Sequence, residues 1–109
     1  MDLREVGADE AITLVAGKTP LIDVRERHEW DAGHAHDAVL IPMSELQQRV
    51  SELPDGQFLV VCHSGARSAR VTSYLADEGR DAVNVSGGMV AWHLAGGDIE
   101  SEGPEAPRV

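Results

Sequence analysis

The sequence predicts an α/β domain in which a parallel β-sheet is covered by helices on both faces. Short apolar runs alternate with helix-like segments along the 109 residues, and we find no internal repeat. The most apolar run, 58–61, shows no polar alternation, which is typical of a strand that is covered on both faces. The length fits one domain.

The first five predicted elements lie within residues 1–41. In order, they are a short strand ending at Val6, a helix over 8–16 that stops at Gly17, a strand over 21–24, a helical turn within 25–31 and a strand over 39–41. Ser44 and Gln47 have the spacing of a capping box, which predicts a further helix with Leu46, Val50 and Leu53 on its apolar stripe.

The second half repeats the alternation. It contains a strand over 58–61 that ends at Cys62, a helix near 68–78 with Val71, Tyr74 and Leu75 turned inward, a strand over 82–85 and a short helix after Gly87-Gly88. Residues 1–97 are expected to form the domain. Residues 98–109 are acidic and poor in apolar side chains, so we expect a flexible C-terminal tail.

Composition excludes several classes of function. The net charge is −10, with 19 acidic and 9 basic residues, so no clustered basic charge is available for nucleic acid or an anionic membrane. No apolar run approaches the roughly 20 residues of a bilayer span, and residues 1–5 do not resemble a signal peptide. We therefore expect a cytoplasmic protein.

The chain has one cysteine, Cys62, so neither an internal disulfide nor a zinc site of two cysteine pairs can form. His34 and His36 have metal-like spacing, but no other assured ligand lies near them in sequence. We therefore expect no metal and no other cofactor. Asp23 and Arg25 flank a strand end, where a structural ion pair is favoured over contact with a substrate.

The segment from Cys62 onward predicts a strand, a tight loop and a helix N-terminus. Backbone N–H groups of such a turn converge with the positive end of the helix dipole, which favours a thiolate on Cys62. Gly65 permits the turn, and Arg67 adds a charge and a fork of donors for an anionic substrate. Arg70 either faces solvent or lies at the pocket rim. The candidate substrate-binding residues are His63, Ser64, Gly65, Ala66, Arg67 and Ser68.

From about residue 6 to residue 97, the chain resembles a single-domain rhodanese. Four segments carry the resemblance: Asp23-Val24-Arg25 with Glu29-Trp30 and Gly33-His34, then Ile41-Pro42, then Cys62 to Ser68 with the shape Cys-x-x-Gly-x-Arg-Ser, and Gly87-Gly88-Met89 with Trp92. Ala35-His36-Asp37 departs from the family pattern of an apolar residue, Pro and Gly, so the local turn is expected to differ.

The resemblance implies a sulfurtransferase that uses no metal. Cys62 would take sulfane sulfur from thiosulfate or a persulfide donor and pass it to cyanide, a thiol or a protein acceptor. Phosphatases on this fold have five residues between cysteine and arginine, whereas four separate Cys62 from Arg67 here. The alternatives are a non-catalytic interaction module or a sulfur-carrier partner of a larger pathway. A redox sensor would need a resolving cysteine, which this chain lacks.

Overall fold

The computed structural model describes residues 3–109 and confirms the predicted fold class. The strands are β1 (Glu5–Val6), β2 (Leu21–Asp23), β3 (Ala38–Leu40), β4 (Phe58–Val61) and β5 (Ala82–Val85). The helices are α1 (Ala8–Ala16), α2 (Arg27–Ala32), α3 (Ala66–Asp77) and α4 (Gly88–Leu94), together with a 3₁₀ segment over Met43–Glu52. No helix formed by the described residues has both the length and the apolar character of a bilayer span.

The sheet is parallel throughout, and its strand order is β1-β5-β4-β2-β3. β4 is therefore the central strand. Asp23 at the end of β2 is level with Val61 of β4 and Leu40 of β3. The carboxyl ends of these strands consequently form one edge, and Cys62 follows β4 directly at that edge.

Side chains of β4 alternate between two cores, one on each face of the sheet. Phe58, Val60 and Cys62 belong to the core beneath α3 and the 3₁₀ segment. Leu59 and Val61 belong to the core beneath α1 and α4. Residues two apart in a strand share a face. The Cys62 side chain therefore lies on the same face as Phe58 and Val60 and points toward α3.

Two sequence-based details are wrong. No side chain caps the 3₁₀ segment, which starts after Pro42, and Ser44 Oγ instead donates to Glu26 Oε1 at 2.9 Å. Tyr74 is 45% exposed rather than inward. The buried residues of α3 are Ser68, Val71, Thr72 and Leu75. At about 100° per residue, Tyr74 lies about 110° from the centre of that stripe, outside the packed face.

The C-terminal residues 98–109 lie along the turn that follows α2. Glu102 N donates to Asp31 O at 2.9 Å, and Arg108 N donates to Ala32 O at 2.9 Å. An added Cβ on Gly33 would lie 2.2 Å from Arg108 O, so the two backbones are in close approach. The domain boundary at residue 97 and the mobility of this segment stay predictions, and these contacts would have to break for the segment to leave.

Candidate active site around Cys62

The turn that carries Cys62 is built by Gly65 between β4 and α3. Gly65 has φ 105°, a left-handed conformation that strongly favours glycine. An added Cβ there would lie 3.2 Å from Gly87 N, so the position is also tight. The chain thereby reverses within three residues, and α3 starts with its N-terminus facing the sulfur.

The Cys62 sulfur accepts hydrogen bonds from the loop and from α3. Gly65 N lies 3.2 Å from Sγ, and both N and Oγ of Ser68 lie at 3.3 Å. Cys62 is 1% exposed and Ser68 is fully buried. The fold therefore holds these donors in place around a buried sulfur.

Burial and hydrogen bonding act in opposite directions on the Cys62 thiol. Burial raises its pKa, but the hydrogen bonds from the Ser68 hydroxyl, Ser68 N, Gly65 N and Arg67 N lower it by more. The net effect is a lowered pKa, as the loop sequence predicts. These donors stabilise the anionic form of sulfur, because a hydrogen bond to a charged form favours that form.

The Arg67 guanidinium is paired with Glu29, which lies at the start of α2. Nη1 and Nη2 donate to the two carboxylate oxygens, each at 2.7 Å. The hydrogen bond from Arg67 is the largest influence on Glu29 and lowers its pKa to about 2, while the pKa of Arg67 is raised. Sequence reasoning assigned no role to Glu29, whose only signal was its place in the first family-like segment.

Asp23 and Arg25 form the structural ion pair that the sequence predicts. Arg25 Nη2 lies 2.7 Å from Asp23 Oδ2, and both side chains are at least 99% buried. Arg25 Nη2 also donates to Gly33 O at 2.7 Å. The pair therefore ties the end of β2 to the turn after α2 and is not open to a substrate.

The Gly87-Gly88 turn supports the Cys62 loop from behind. Met89 N donates to Cys62 O at 2.8 Å, and Val90 N donates to His63 O at 3.1 Å. A Cβ on Gly88, which has φ 61°, would lie 2.5 Å from both carbonyl oxygens. The two glycines let the α4 N-terminus approach closely enough to hold the carbonyl groups that follow β4.

The remaining loop residues are exposed. His63, Ser64 and Ala66 face solvent. His63 lines a cavity of about 290 Å³ together with Arg25 and His28. Arg70 is exposed and lines a separate cavity of about 280 Å³ beside the 3₁₀ segment. None of residues 62–68 lines that cavity, so Arg70 faces solvent rather than the rim of a Cys62 pocket. Cys62 is not among the lining residues of either cavity.

His34 and His36 meet carboxylates from the C-terminal segment. His34 Nε2 lies 2.6 Å from Glu102 Oε2, and His36 Nδ1 lies 2.7 Å from Glu100 Oε1. The partners are 68 and 64 residues away in sequence. No local pattern could therefore have revealed them.

Comparison with known proteins shows that residues 7–95 match the model of the family described as "Rhodanese-like domain". The Bacillus subtilis protein named "Putative sulfurtransferase YtwF" is 42% identical over 73 residues, which cover 66% of this chain and 71% of that protein. A sulfurtransferase of Allochromatium vinosum is 39% identical over 74 residues, covering 66% and 69%. The crystal structure of a rhodanese-related protein from Thermoplasma volcanium superposes with a TM-score of 0.82 and 28% identity, over 89% of this chain and 97% of that one.

Proposed function

Because this chain belongs to the rhodanese-like domain family, we propose that it is a sulfurtransferase in which Cys62 carries sulfane sulfur as a persulfide. The observation that carries the proposal is the set of three hydrogen-bond donors around Cys62 Sγ, from Gly65 N and from N and Oγ of Ser68. Donors in this arrangement stabilise both a thiolate and the anionic persulfide that replaces it.

In the first step, the Cys62 thiolate attacks the outer sulfur of a donor such as thiosulfate. A bond forms between Cys62 Sγ and that sulfur, and the S–S bond of thiosulfate breaks with its electron pair leaving on sulfite. Charge is conserved, since the product is an anionic persulfide together with sulfite. No general base is needed because the attacking group is already deprotonated.

In the second step, an acceptor nucleophile attacks the outer sulfur of the persulfide. Cyanide would give thiocyanate, and a thiolate would give a new persulfide on a small molecule or a protein. The Cys62 thiolate is the leaving group, and the loop donors stabilise it as it departs. His63, Ser64 and Ala66 are exposed around the loop and are the residues we propose to contact donor and acceptor.

A sulfur-carrier role is a second candidate. Both terminal nitrogens of the Arg67 guanidinium donate to the Glu29 carboxylate. The negative charge of Glu29 offsets the positive charge that would attract a dianionic donor. Pairing of this kind is expected to weaken the attraction for thiosulfate, so that transfer from a protein persulfide donor would depend less on Arg67. We expect phosphate-ester hydrolysis only at background level. Four residues separate Cys62 from Arg67, and we propose that this loop fits a single sulfur atom rather than a phosphate group.

Intact mass spectrometry tests the proposal. After incubation with thiosulfate or with glutathione persulfide, the wild type is expected to gain the mass of one sulfur atom, and cyanide is expected to remove it. Cys62→Ser is the matched variant and should gain nothing. A wild-type protein that takes sulfur from neither donor would leave the interaction-module alternative in its place.

A further inference from the structure

A second cluster of chemically active side chains lies where the C-terminal segment crosses the turn after α2. His34, Glu100 and Glu102 place one ligand atom each within 4.8 Å of one another. His34 is 3% exposed, whereas Glu100 and Glu102 are about half exposed. The cluster therefore combines a buried imidazole with two partly exposed carboxylates.

The hydrogen bonding of His34 leaves one ring nitrogen facing negative charge. Nδ1 lies 2.9 Å from the Ala35 carbonyl oxygen, which only accepts, so Nδ1 carries a hydrogen. In a neutral imidazole, Nε2 is then a lone-pair acceptor. That atom faces Glu102 Oε2 at 2.6 Å and Glu100 Oε2 at 3.9 Å. Three acceptors converge, and a cation between them, either a proton or a metal ion, is required to make the contact favourable.

The surroundings of His34 have the pattern of a metal-ligating histidine. Ligating histidines almost always donate the other ring N–H to a backbone carbonyl or a carboxylate, which sets the tautomer and the orientation of the ring. Ala35 O provides that acceptor. The imidazole also stacks on Trp30, with ring centroids 3.6 Å apart and planes 3° from parallel. The Glu100 carboxylate is held on its other oxygen by His36 Nδ1 at 2.7 Å.

We propose that His34 Nε2, Glu100 and Glu102 bind a divalent transition-metal ion of the zinc class. One imidazole with two carboxylates suits zinc, which accepts nitrogen and oxygen ligands in small sites. Magnesium and calcium prefer oxygen ligands alone and are disfavoured. The site is separate from the sulfur chemistry proposed for Cys62.

Such an ion would fasten the C-terminal segment to the domain. The segment already pairs with His34 through backbone hydrogen bonds, His34 N to Glu100 O at 2.9 Å and Glu100 N to His34 O at 2.8 Å. A metal ion bound beside this isolated bridge would take the place of the proton between His34 and Glu102 and would add coordination bonds between the segment and the domain. Metal binding is therefore linked to the stability of this segment.

Isothermal titration calorimetry with Zn²⁺ tests the site. The measurements are made in a Cys62→Ser background so that thiolate binding cannot contribute. Glu100→Gln and Glu102→Gln are each expected to weaken Zn²⁺ binding by at least about tenfold, since loss of even an outer-shell partner has that effect. Glu105→Gln, an exposed change on the same segment, is the matched control and should bind as the parent does. Mg²⁺ should give no binding at the same concentrations.

Cobalt substitution supplies a second readout. Co²⁺ in this site is expected to give d–d absorption of a low-coordinate nitrogen–oxygen site, which Zn²⁺ displaces and Glu102→Gln loses. The altered carboxylates are exposed, and circular dichroism checks that both variants remain folded. If the parent binds no Zn²⁺, a proton alone joins His34 to Glu102 and the proposal is overturned. Equal affinity in parent and Glu102→Gln would instead place the ion on other surface imidazoles and overturn it as well.

Discussion

At the scale of single residues, Ser68 is the side chain on which we expect the proposed sulfur chemistry to depend most. Its N and Oγ supply two of the three close donors to Cys62 Sγ, and the residue is fully buried. The hydroxyl also lies 3.3 Å from Gly65 O, so Cys62 Sγ and Gly65 O are alternative acceptors for its single hydrogen. A charged thiolate is the stronger acceptor and is expected to take it.

Ser68→Ala should therefore raise the pKa of Cys62 relative to the wild type. The rate of iodoacetamide alkylation measures this, because the rate increases as pH rises through the pKa of the thiol. The midpoint of the wild type should lie below that of a free thiol, and the midpoint of the variant should lie above that of the wild type. Sulfur transfer at neutral pH should fall by about tenfold, the order of one charge-assisted hydrogen bond.

Ser64→Ala is the control for this change. Ser64 is in the same loop, but it is exposed and is not among the donors to Cys62 Sγ. It should leave the alkylation profile unchanged. Identical profiles for Ser68→Ala and wild type would show that the hydroxyl donates elsewhere.

Arg67 and Glu29 form the second residue-scale prediction. If Arg67 helps to bind an anionic donor, Arg67→Ala should weaken thiosulfate turnover by about 1–3 kcal/mol, the range for lost charge-assisted hydrogen bonds. Arg67→Lys should recover only part of the loss because lysine lacks the planar fork. Glu29→Gln removes the competing negative charge and should raise kcat/KM for thiosulfate.

Steady-state kinetics of these three variants with thiosulfate and cyanide provide the measurement. Unchanged turnover in Arg67→Ala would mean that the arginine is a structural partner of Glu29 alone. Acid titration of the free energy of unfolding supplies an independent check on the pair. Its contribution is present above about pH 4.5 and is lost as pH falls toward 2, because folding lowers the Glu29 pKa from 4.5 to about 2.

At the scale of elements, the site depends on two turns pressed together. The Cys62 loop ends β4, and the Gly87-Gly88 turn ends β5, its neighbour in the sheet. Because both strands are parallel, both turns lie at the same edge, and N–H groups at the start of α4 reach the carbonyls of Cys62 and His63. Glycine at position 88 is what allows the approach.

Gly88→Ala should destabilise the domain and displace the loop. The substitution combines a left-handed φ of 61° with a Cβ only 2.5 Å from two carbonyl oxygens. Gly79→Ala is the matched control, since Gly79 has φ 85° and open space around its Cβ. The control should cost about 1–2 kcal/mol from backbone strain alone, and Gly88→Ala should cost clearly more. Urea unfolding measures both, and equal losses would mean that the backbone at residue 88 relaxes without strain on the loop.

At the scale of the whole molecule, residues 98–109 close one side of the domain. Ile99 and Val109 pack against the core beneath α1 and α4. Trp92 Nε1 donates to Asp98 O at 2.8 Å. The segment therefore satisfies a buried indole and covers apolar surface of the domain.

Removing residues 98–109 should lower the free energy of unfolding by about 1–3 kcal/mol, the size of one or two hydrogen bonds with partly buried aliphatic side chains. Urea unfolding of the shortened and full-length chains measures the difference, and Glu105→Gln in the full-length chain serves as a neutral control. Unchanged stability on truncation would support the flexible tail that the composition predicts.

Local sequence patterns determined most of the elements. α1, β4 and β5 have the predicted bounds because each is defined by an apolar run or stripe with a clear stop. The sequence did not determine whether Tyr74 faces the core or the solvent. An aromatic residue at the edge of a packed helical stripe fits either environment, and its residue type alone does not decide between them.

The sequence by itself determined the hydrogen-bond donors around Cys62, because the strand, the glycine turn and the helix N-terminus that supply them are consecutive in the chain. Only the tertiary structure decided what the charged side chains pair with. Arg67 meets Glu29 across 38 residues, and His34 meets Glu102 across 68. The physical reason is that hydrophobic periodicity encodes which face of an element is buried, whereas charge pairing depends on which element ends are stacked beside one another.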